Sequence, residues 1–254
     1  MSDGLHGYQY DYALRLGDTA LVLGQRLSEW VGHAPALELE MAVSNLALDQ
    51  IGEAQLLLEY AAAHKGDGSS ADSLAFGRDV LDFRNLLLVE QPNGDWAMTI
   101  ARHYLYSVFH RLHFAALAAC ADERLAGIAA KTAPEIAYHL RFARDWMLRL
   151  GDGTEESHAR LQAAVDRQWK FTGEMFEADA VEEALVAEDL AVDARRLAAP
   201  WRAEVEALFR EAGLAIPAVS RMTTGGRRGH HSEHLGHLLA ELQFLQRTYP
   251  GLEW

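Results

Sequence analysis

The sequence predicts an all-α protein built on four long helices, and three observations carry that prediction. Apolar residues recur at i, i+3 and i+4 along most of the 254-residue chain, while alternation at period two is almost absent. The amphipathic stretches run to about 22–30 residues, the length of bundle helices. They are separated by short clusters of Gly, Pro, Asn, Asp and Ser that stop a helix.

The first helix is expected from about Tyr8 to Val31, with Tyr12, Leu16, Leu23, Leu27 and Trp30 on one stripe. Gly32, His33, Ala34 and Pro35 end it. A second runs from about Ala36 to His64 and closes in the loop Lys65–Ser70 (KGDGSS). A shorter helix fits Ala71–Leu87, followed by a turn at Gln91–Asp95 (QPNGD). Asp95 can cap the third long helix, which extends to about Ala121. The fourth spans Glu123–Leu150, with Ile128, Thr132, Ile136, His139, Ala143, Trp146 and Leu150 on its inward stripe. Four long helices with a long crossover between the middle pair make a ferritin-like bundle. Additional C-terminal helices fit Thr154–Phe176, Pro200–Ala212 and His231–Thr248, with loops between them. No linker rich in Pro, Gly or Ser divides the chain. It is expected to form one domain over residues 1–254, with a core bundle at about 8–150 and a helical extension at about 154–254.

Composition narrows the function. Half the residues are hydrophobic, six are Pro, and the net charge is −14. An acidic balance excludes the basic footprint of a nucleic-acid or anionic-membrane binder. No apolar run reaches the roughly 18–20 residues of a membrane span. The polar start MSDGLHGYQYDY lacks the layout of a signal peptide, and Cys120 is the single cysteine, so a cytoplasmic location is expected.

The chemistry of a ferritin-like protein resides in a diiron site, made by one Glu from each of two helices and a Glu-x-x-His pair from each of the others. Two ferrous ions bring four positive charges, which four carboxylates neutralise. Here the pattern survives only in fragments. Glu29 sits where a single-Glu ligand belongs. In DQIGEAQ (Asp49–Gln55) the expected pair falls on Gln50 and Glu53, an amide and a carboxylate. Ser107 takes the single-ligand position of the third helix. In PEIAYH (Pro134–His139) the imidazole of His139 is in place but Ile136 stands three residues before it; Glu135 is displaced by roughly 100° around the helix. The six positions Glu29, Gln50, Glu53, Ser107, Ile136 and His139 therefore read as a vestigial site, with no catalytic residue and no metal. Glu29, Gln50, Glu53 and His139 are expected to form a buried polar network in place of iron.

LRLGDTALVLGQRLSEWVGHAP (Leu14–Pro35), NLALDQIGEAQ (Asn45–Gln55), FRNLLLVEQPNGDWA (Phe83–Ala97), YHLRFARDW (Tyr138–Trp146) and the C-terminal TGGRRGHHSEHLGHLLAELQFLQRTYPGLEW (Thr224–Trp254) cover nearly the whole chain. Through them it resembles the phenylacetyl-CoA 1,2-epoxidase family of multicomponent oxygenases, and within that family the degenerate ferritin-like C subunit. The resemblance implies a complex that epoxidises the ring of phenylacetyl-CoA with O2 and NADPH-derived electrons. It implies a catalytic A subunit holding the two irons, a small B subunit, and a reductase carrying FAD and an iron–sulfur centre. This chain would bind no cofactor and would pair with A. The resemblance also suggests that Asp82, Phe83, Arg84 and Asn85, with Glu183, Ala184 and Leu185, approach phenylacetyl-CoA bound in the assembly.

Other features admit two readings. His230, His234 and His237 share a helical face and, with His231, invite a metal site, but they also open an amphipathic helix, where capping or packing is the commoner role. Arg227 and Arg228 in the turn TGGRRG can bind an anion if the neighbouring glycines expose backbone N–H groups. Tyr104, Tyr106, Phe109 and Phe114 fit the bundle core; Trp30 and Tyr104 are also candidates for the surface that meets A. The competing functions are a diiron oxidase or oxygenase in its own right and a storage or carrier protein. Both need at least four carboxylates facing one cavity, which the pattern does not supply.

Overall fold

A computed structural model describes residues 2–251, with side chains from residue 4 onward. The last three residues of the C-terminal signature lie outside that range. The fold is all-helical and ferritin-like, with no strand among the described residues. The helices are α1 (Ser2–Ser28), α2 (Leu37–Lys65), α3 (Ala71–Phe76), α4 (Leu87–Glu90), α5 (Trp96–Leu117), α6 (Glu123–Gly151), α7 (Glu155–Gln168), α8 (Ala180–Ala187), α9 (Ala198–Glu211), α10 (Glu233–Leu242) and α11 (Phe244–Thr248). They fall into two compact units. One comprises Met1–Pro92 with Thr224–Trp254, and the other Asn93–Thr223. The segment 154–254, read from sequence as one extension, thus divides between them.

The first unit is organised by the antiparallel pair α1 and α2. Gly17 and Gly24, seven residues apart on α1, let the helices approach closely. A Cβ at Gly24 would lie 3.0 Å from Ile51 Cγ1 and 3.2 Å from the Ala47 carbonyl oxygen. Leu21, Leu23, Leu27, Val43, Leu46 and Leu57 fill the contact. The Ala71–Leu87 helix expected from sequence is broken. α3 stops at Gly77, a single 3-10 turn covers Val80–Asp82, and the chain then runs extended to α4. The cause is tertiary. The buried Asp18 carboxylate on α1 accepts from both terminal nitrogens of Arg78, and from the Arg84 amide at 2.8 Å. That amide could not serve a helix as well.

The second unit is built on the antiparallel pair α5 and α6. Asp95 caps α5 as the sequence indicated, accepting from the Met98 amide at 2.9 Å, and Asp122 caps α6 through Leu125 at 2.8 Å. Trp96 meets Phe142 and Trp146 edge-on at one end of the pair. Trp169, Trp201 and Phe209 form a second aromatic cluster, in which Trp201 Nε1 donates to the Leu105 carbonyl at 3.0 Å. Tyr104 lies 1% exposed in this core. It cannot belong to a docking surface, contrary to the expectation from its aromatic character.

Candidate functional site

The six ligand-equivalent positions divide between the units. Gln50 and Glu53 are buried on α2 in the first; Ser107 on α5 and Ile136 and His139 on α6 are buried in the second. Glu29 departs from expectation. α1 ends at Ser28, and the chain turns through short i→i+3 contacts (Trp30 N to Leu27 O, Val31 N to Ser28 O) toward Gly32 at φ +80°. Glu29 is therefore outside the helix and exposed, its side chain held by Arg26 at 2.6 Å. It leaves the buried network expected for it, because the helix stops one residue too early to point it inward.

His139 lies against His103 on α5, ring centroids 5.2 Å apart. Sequence reading missed His103, although His103, Ser107 and His110 share one face of α5 at helical spacing. Neither ring nitrogen of His103 has a hydrogen-bond partner among the described residues. Burial, then the neighbouring His139, Arg102 and His110, hold its pKa well below the ordinary histidine value. At neutral pH it is an uncharged imidazole.

A diiron centre does not fit this donor set. The site needs four carboxylates, and the matching positions offer an exposed, Arg-paired Glu29, an amide, a hydroxyl and an aliphatic side chain, with Glu53 the one buried carboxylate. Among the described residues no three His, Cys, Asp or Glu side chains converge to hold a metal ion.

The most fully connected polar cluster lies in the first unit, around Glu90 at the end of α4. Its carboxylate is 0% exposed. It accepts from Asn85 Nδ2 at 2.9 Å, from the Ser232 amide at 2.6 Å, and lies 2.8 Å from His231 Nδ1. His231 Nε2 is 2.9 Å from the Phe83 carbonyl oxygen. Both ring nitrogens therefore face acceptors, an arrangement only the doubly protonated imidazolium satisfies. Burial opposes that charge, but the bonds to Glu90 and Phe83 outweigh it and raise the pKa. Arg26 completes the cluster, donating through Nε and Nη2 to the Glu90 carbonyl at 3.1 and 2.9 Å and to the His234 carbonyl at 3.1 Å. The signatures VEQPNG and TGGRRGHHSEH are thus two halves of one buried brace. A lone Glu at the end of the apolar run LLLV was the signal that could have found it.

The residues expected near substrate separate in the same way. Phe83 and Asn85 are buried in this brace, Arg84 donates to the Leu81 and Phe83 carbonyls, and Asp82 accepts from the Asp79 amide. Glu183, Ala184 and Leu185 lie on α8 in the second unit, with Glu183 exposed and paired to Arg195 at 3.1 Å. The TGGRRG turn is partly closed on itself. The amides of Arg228, Gly229 and His230 donate within the turn, to Gly225 or Gly226, and so are not free for an anion. Its glycines serve close contact: a Cβ at Gly226 would sit 2.3 Å from the Asn85 carbonyl oxygen. Arg227 is buried and Arg228 exposed. The histidines do not converge either, since His231 turns into the brace while His230 and His237 stay exposed.

The fold and this site define an all-helical, ferritin-like protein. Residues 3–254 match the family model described as phenylacetic acid catabolic protein, and the chain belongs to that family. It is 51% identical, over 243 residues, to the C subunit of the 1,2-phenylacetyl-CoA epoxidase of Escherichia coli (strain K12), covering 96% of this chain and 98% of that one.

Proposed function

We propose that this chain is the non-catalytic C subunit of a phenylacetyl-CoA 1,2-epoxidase, pairing with an iron-bearing A subunit that epoxidises the aromatic ring. The observation that carries the assignment is identity of 51% sustained over 96% of the chain. The degenerate donor set supports the non-catalytic part. In this reading the irons belong to A, the electrons arrive through a reductase, a small B subunit joins the assembly, and this chain binds no cofactor.

Partnering is supported by an apolar stripe left open on α2. Leu37, Met41 and Leu48 are 69%, 62% and 65% exposed and share a face at i, i+4 and i+11. Large apolar side chains in such a row mark an interaction surface. We assign this stripe, with the half-exposed Trp30, to contact with A.

The test is co-expression with the candidate A subunit. Wild-type chain should co-purify with A, support turnover of phenylacetyl-CoA, and carry substoichiometric iron when purified alone. Met41→Asp with Leu48→Asp should lower co-purification at least tenfold without altering the melting temperature of the isolated chain. Stoichiometric iron in the isolated chain, after growth in iron-rich medium, would favour an independent diiron enzyme. Undiminished assembly of the double variant would remove the docking surface.

A further inference from the structure

The antiparallel pairing of α1 and α2 brings together two histidines 58 residues apart in sequence. The Nδ1 atoms of His6, in the first turns of α1, and His64, in the last turn of α2, are 3.1 Å apart. Their rings are tilted by 34° with centroids 5.4 Å apart. His64 is steadied from behind by Tyr60, whose ring lies 4.4 Å away and whose hydroxyl accepts from Gln9 Nε2 at 3.1 Å. His6 is exposed and His64 half-exposed, so solvent reaches the pair.

We propose that His6 and His64 form a two-imidazole site for a divalent late transition-metal ion, with Cu(II) favoured over Ni(II) and Zn(II). The geometry supplies the first reason. Two imidazole nitrogens each bound at about 2.0–2.1 Å, at angles between those of square and tetrahedral coordination, lie about 2.9–3.4 Å from one another. The observed Nδ1 separation falls in that interval, so the spacing of the two nitrogens matches a shared ion. Chemistry supplies the second reason. Neutral imidazoles suit Cu, Ni and Zn and do not suit Mg or Ca, and affinity at a fixed nitrogen set follows the Irving–Williams order. Among the described residues no third His, Cys, Asp or Glu joins the pair.

The nearby cation is already compensated, since Lys65 Nζ is held by Asp67 at 3.0 Å. The net charge of −14 also favours cation approach. A bound ion would clip the amino-terminal turns of α1 to the end of α2. The site is separate from the degenerate diiron positions and independent of the proposed assignment to the epoxidase complex.

The experiment uses untagged full-length chain at pH 7.5, titrated with Cu(II), Ni(II) or Zn(II) chloride and followed by calorimetry. One equivalent of Cu(II) is also examined by electron paramagnetic resonance. The expected results are saturable binding of one ion, tightest for Cu(II), a signal from two equatorial nitrogens, and a rise in melting temperature with metal. His6→Ala and His64→Ala should each weaken binding at least tenfold and abolish that rise, whereas His237→Ala should change neither. His6 is exposed, so its substitution tests the site without threatening the fold. The proposal is overturned if no saturable site exists, meaning the pair is an N–H···N bond alone. It is overturned equally if binding survives His6→Ala, or follows the His230–His237 segment instead.

Discussion

Two buried polar clusters, one in each unit, are satisfied to different degrees. In the first, Glu90, His231, Asn85, Ser232 and Arg26 form a cluster in which both carboxylate oxygens and both imidazole nitrogens meet partners, while Asn85 Oδ1 and Ser232 Oγ have none among the described residues. In the second, His103 is buried and neutral beside His139, with no hydrogen bond to its ring nitrogens among the described residues. A buried charge is tolerable when every lone pair and proton is engaged, and then losing one member costs far more than the cluster's net contribution. A buried neutral group without partners is a standing cost. The contrast is between a brace that ties the C-terminal segment to α1 and α4 and a single imidazole, His103, whose two ring nitrogens meet no partner among the described residues.

The sharpest way to break the brace is Glu90→Leu. It leaves the His231 imidazolium buried without its counter-charge and strands the Ser232 N–H, while Asn85 Nδ2 keeps only its bond to the Leu86 carbonyl. The expected loss is about 3–5 kcal/mol, the usual result of removing one partner of a buried pair. Urea unfolding of the wild-type and variant chains measures it, and limited proteolysis should show earlier cleavage within 224–251. Glu90→Leu combined with His231→Leu should recover part of the loss, because no unpaired charge then remains. A single-variant loss below about 1 kcal/mol would show that the cluster is not ionised.

Much of the fold was legible, for a reason the brace makes plain. α2, α5 and α6 were placed to within a few residues, because their apolar stripes repeat over many turns and end at Gly, Asp or Ser. α1 was misjudged at both ends. Its polar, Gly-containing start hides helical periodicity, and its last turn unwinds toward Gly32, which moved Glu29 out of the bundle. The break after α3 was illegible because Asp18, about 60 residues away, causes it. α8 is one eight-residue helix opened by an Asp179 cap, too short for periodicity to speak. Glu90 and His231 are 141 residues apart, so spacing along the chain could not pair them. His103 belonged to no ligand pattern, so its place against His139 could not be read from spacing.

The two histidines should also give stability opposite pH slopes. The His231 pKa is raised, so its stabilisation is full below the unfolded value of about 6.5 and fades as pH climbs through the folded value. The His103 pKa is depressed, so the protein loses stability as pH falls below about 6.5, where the unfolded chain takes up a proton the folded chain refuses. One such proton costs about 1.4 kcal/mol per pH unit. His103→Leu removes that acid limb and an unsatisfied imidazole together. It should stabilise the chain by about 1 kcal/mol at pH 7 and by more at pH 5. Thermal unfolding across pH 5–9 checks both slopes, and a destabilised His103→Leu variant would show that the imidazole has a role the contrast denies it.

The smallest effect is expected at Glu29, and it bears on the same contrast from outside both clusters. Had Glu29 faced the bundle interior, its removal would have left buried partners exposed to the cost of an unpaired group. Instead its carboxylate is 35% exposed and meets Arg26 three residues earlier. Arg26 does not depend on it, because Nε and Nη2 of that guanidinium are engaged with the Glu90 and His234 carbonyls. Surface pairs of this kind contribute about 0–1 kcal/mol, and solvent and salt screen them. Glu29→Gln should therefore shift the unfolding free energy by no more than about 0.5 kcal/mol, with a smaller difference in 0.5 M salt. Turnover of phenylacetyl-CoA by the complex assembled on the variant should match that of the wild type. A loss of turnover with stability and assembly intact would place Glu29 in the chemistry and reverse the reading of its position. A destabilisation as large as that of Glu90→Leu would instead mean that Arg26 needs both carboxylate and carbonyl partners, and that the brace extends to the end of α1.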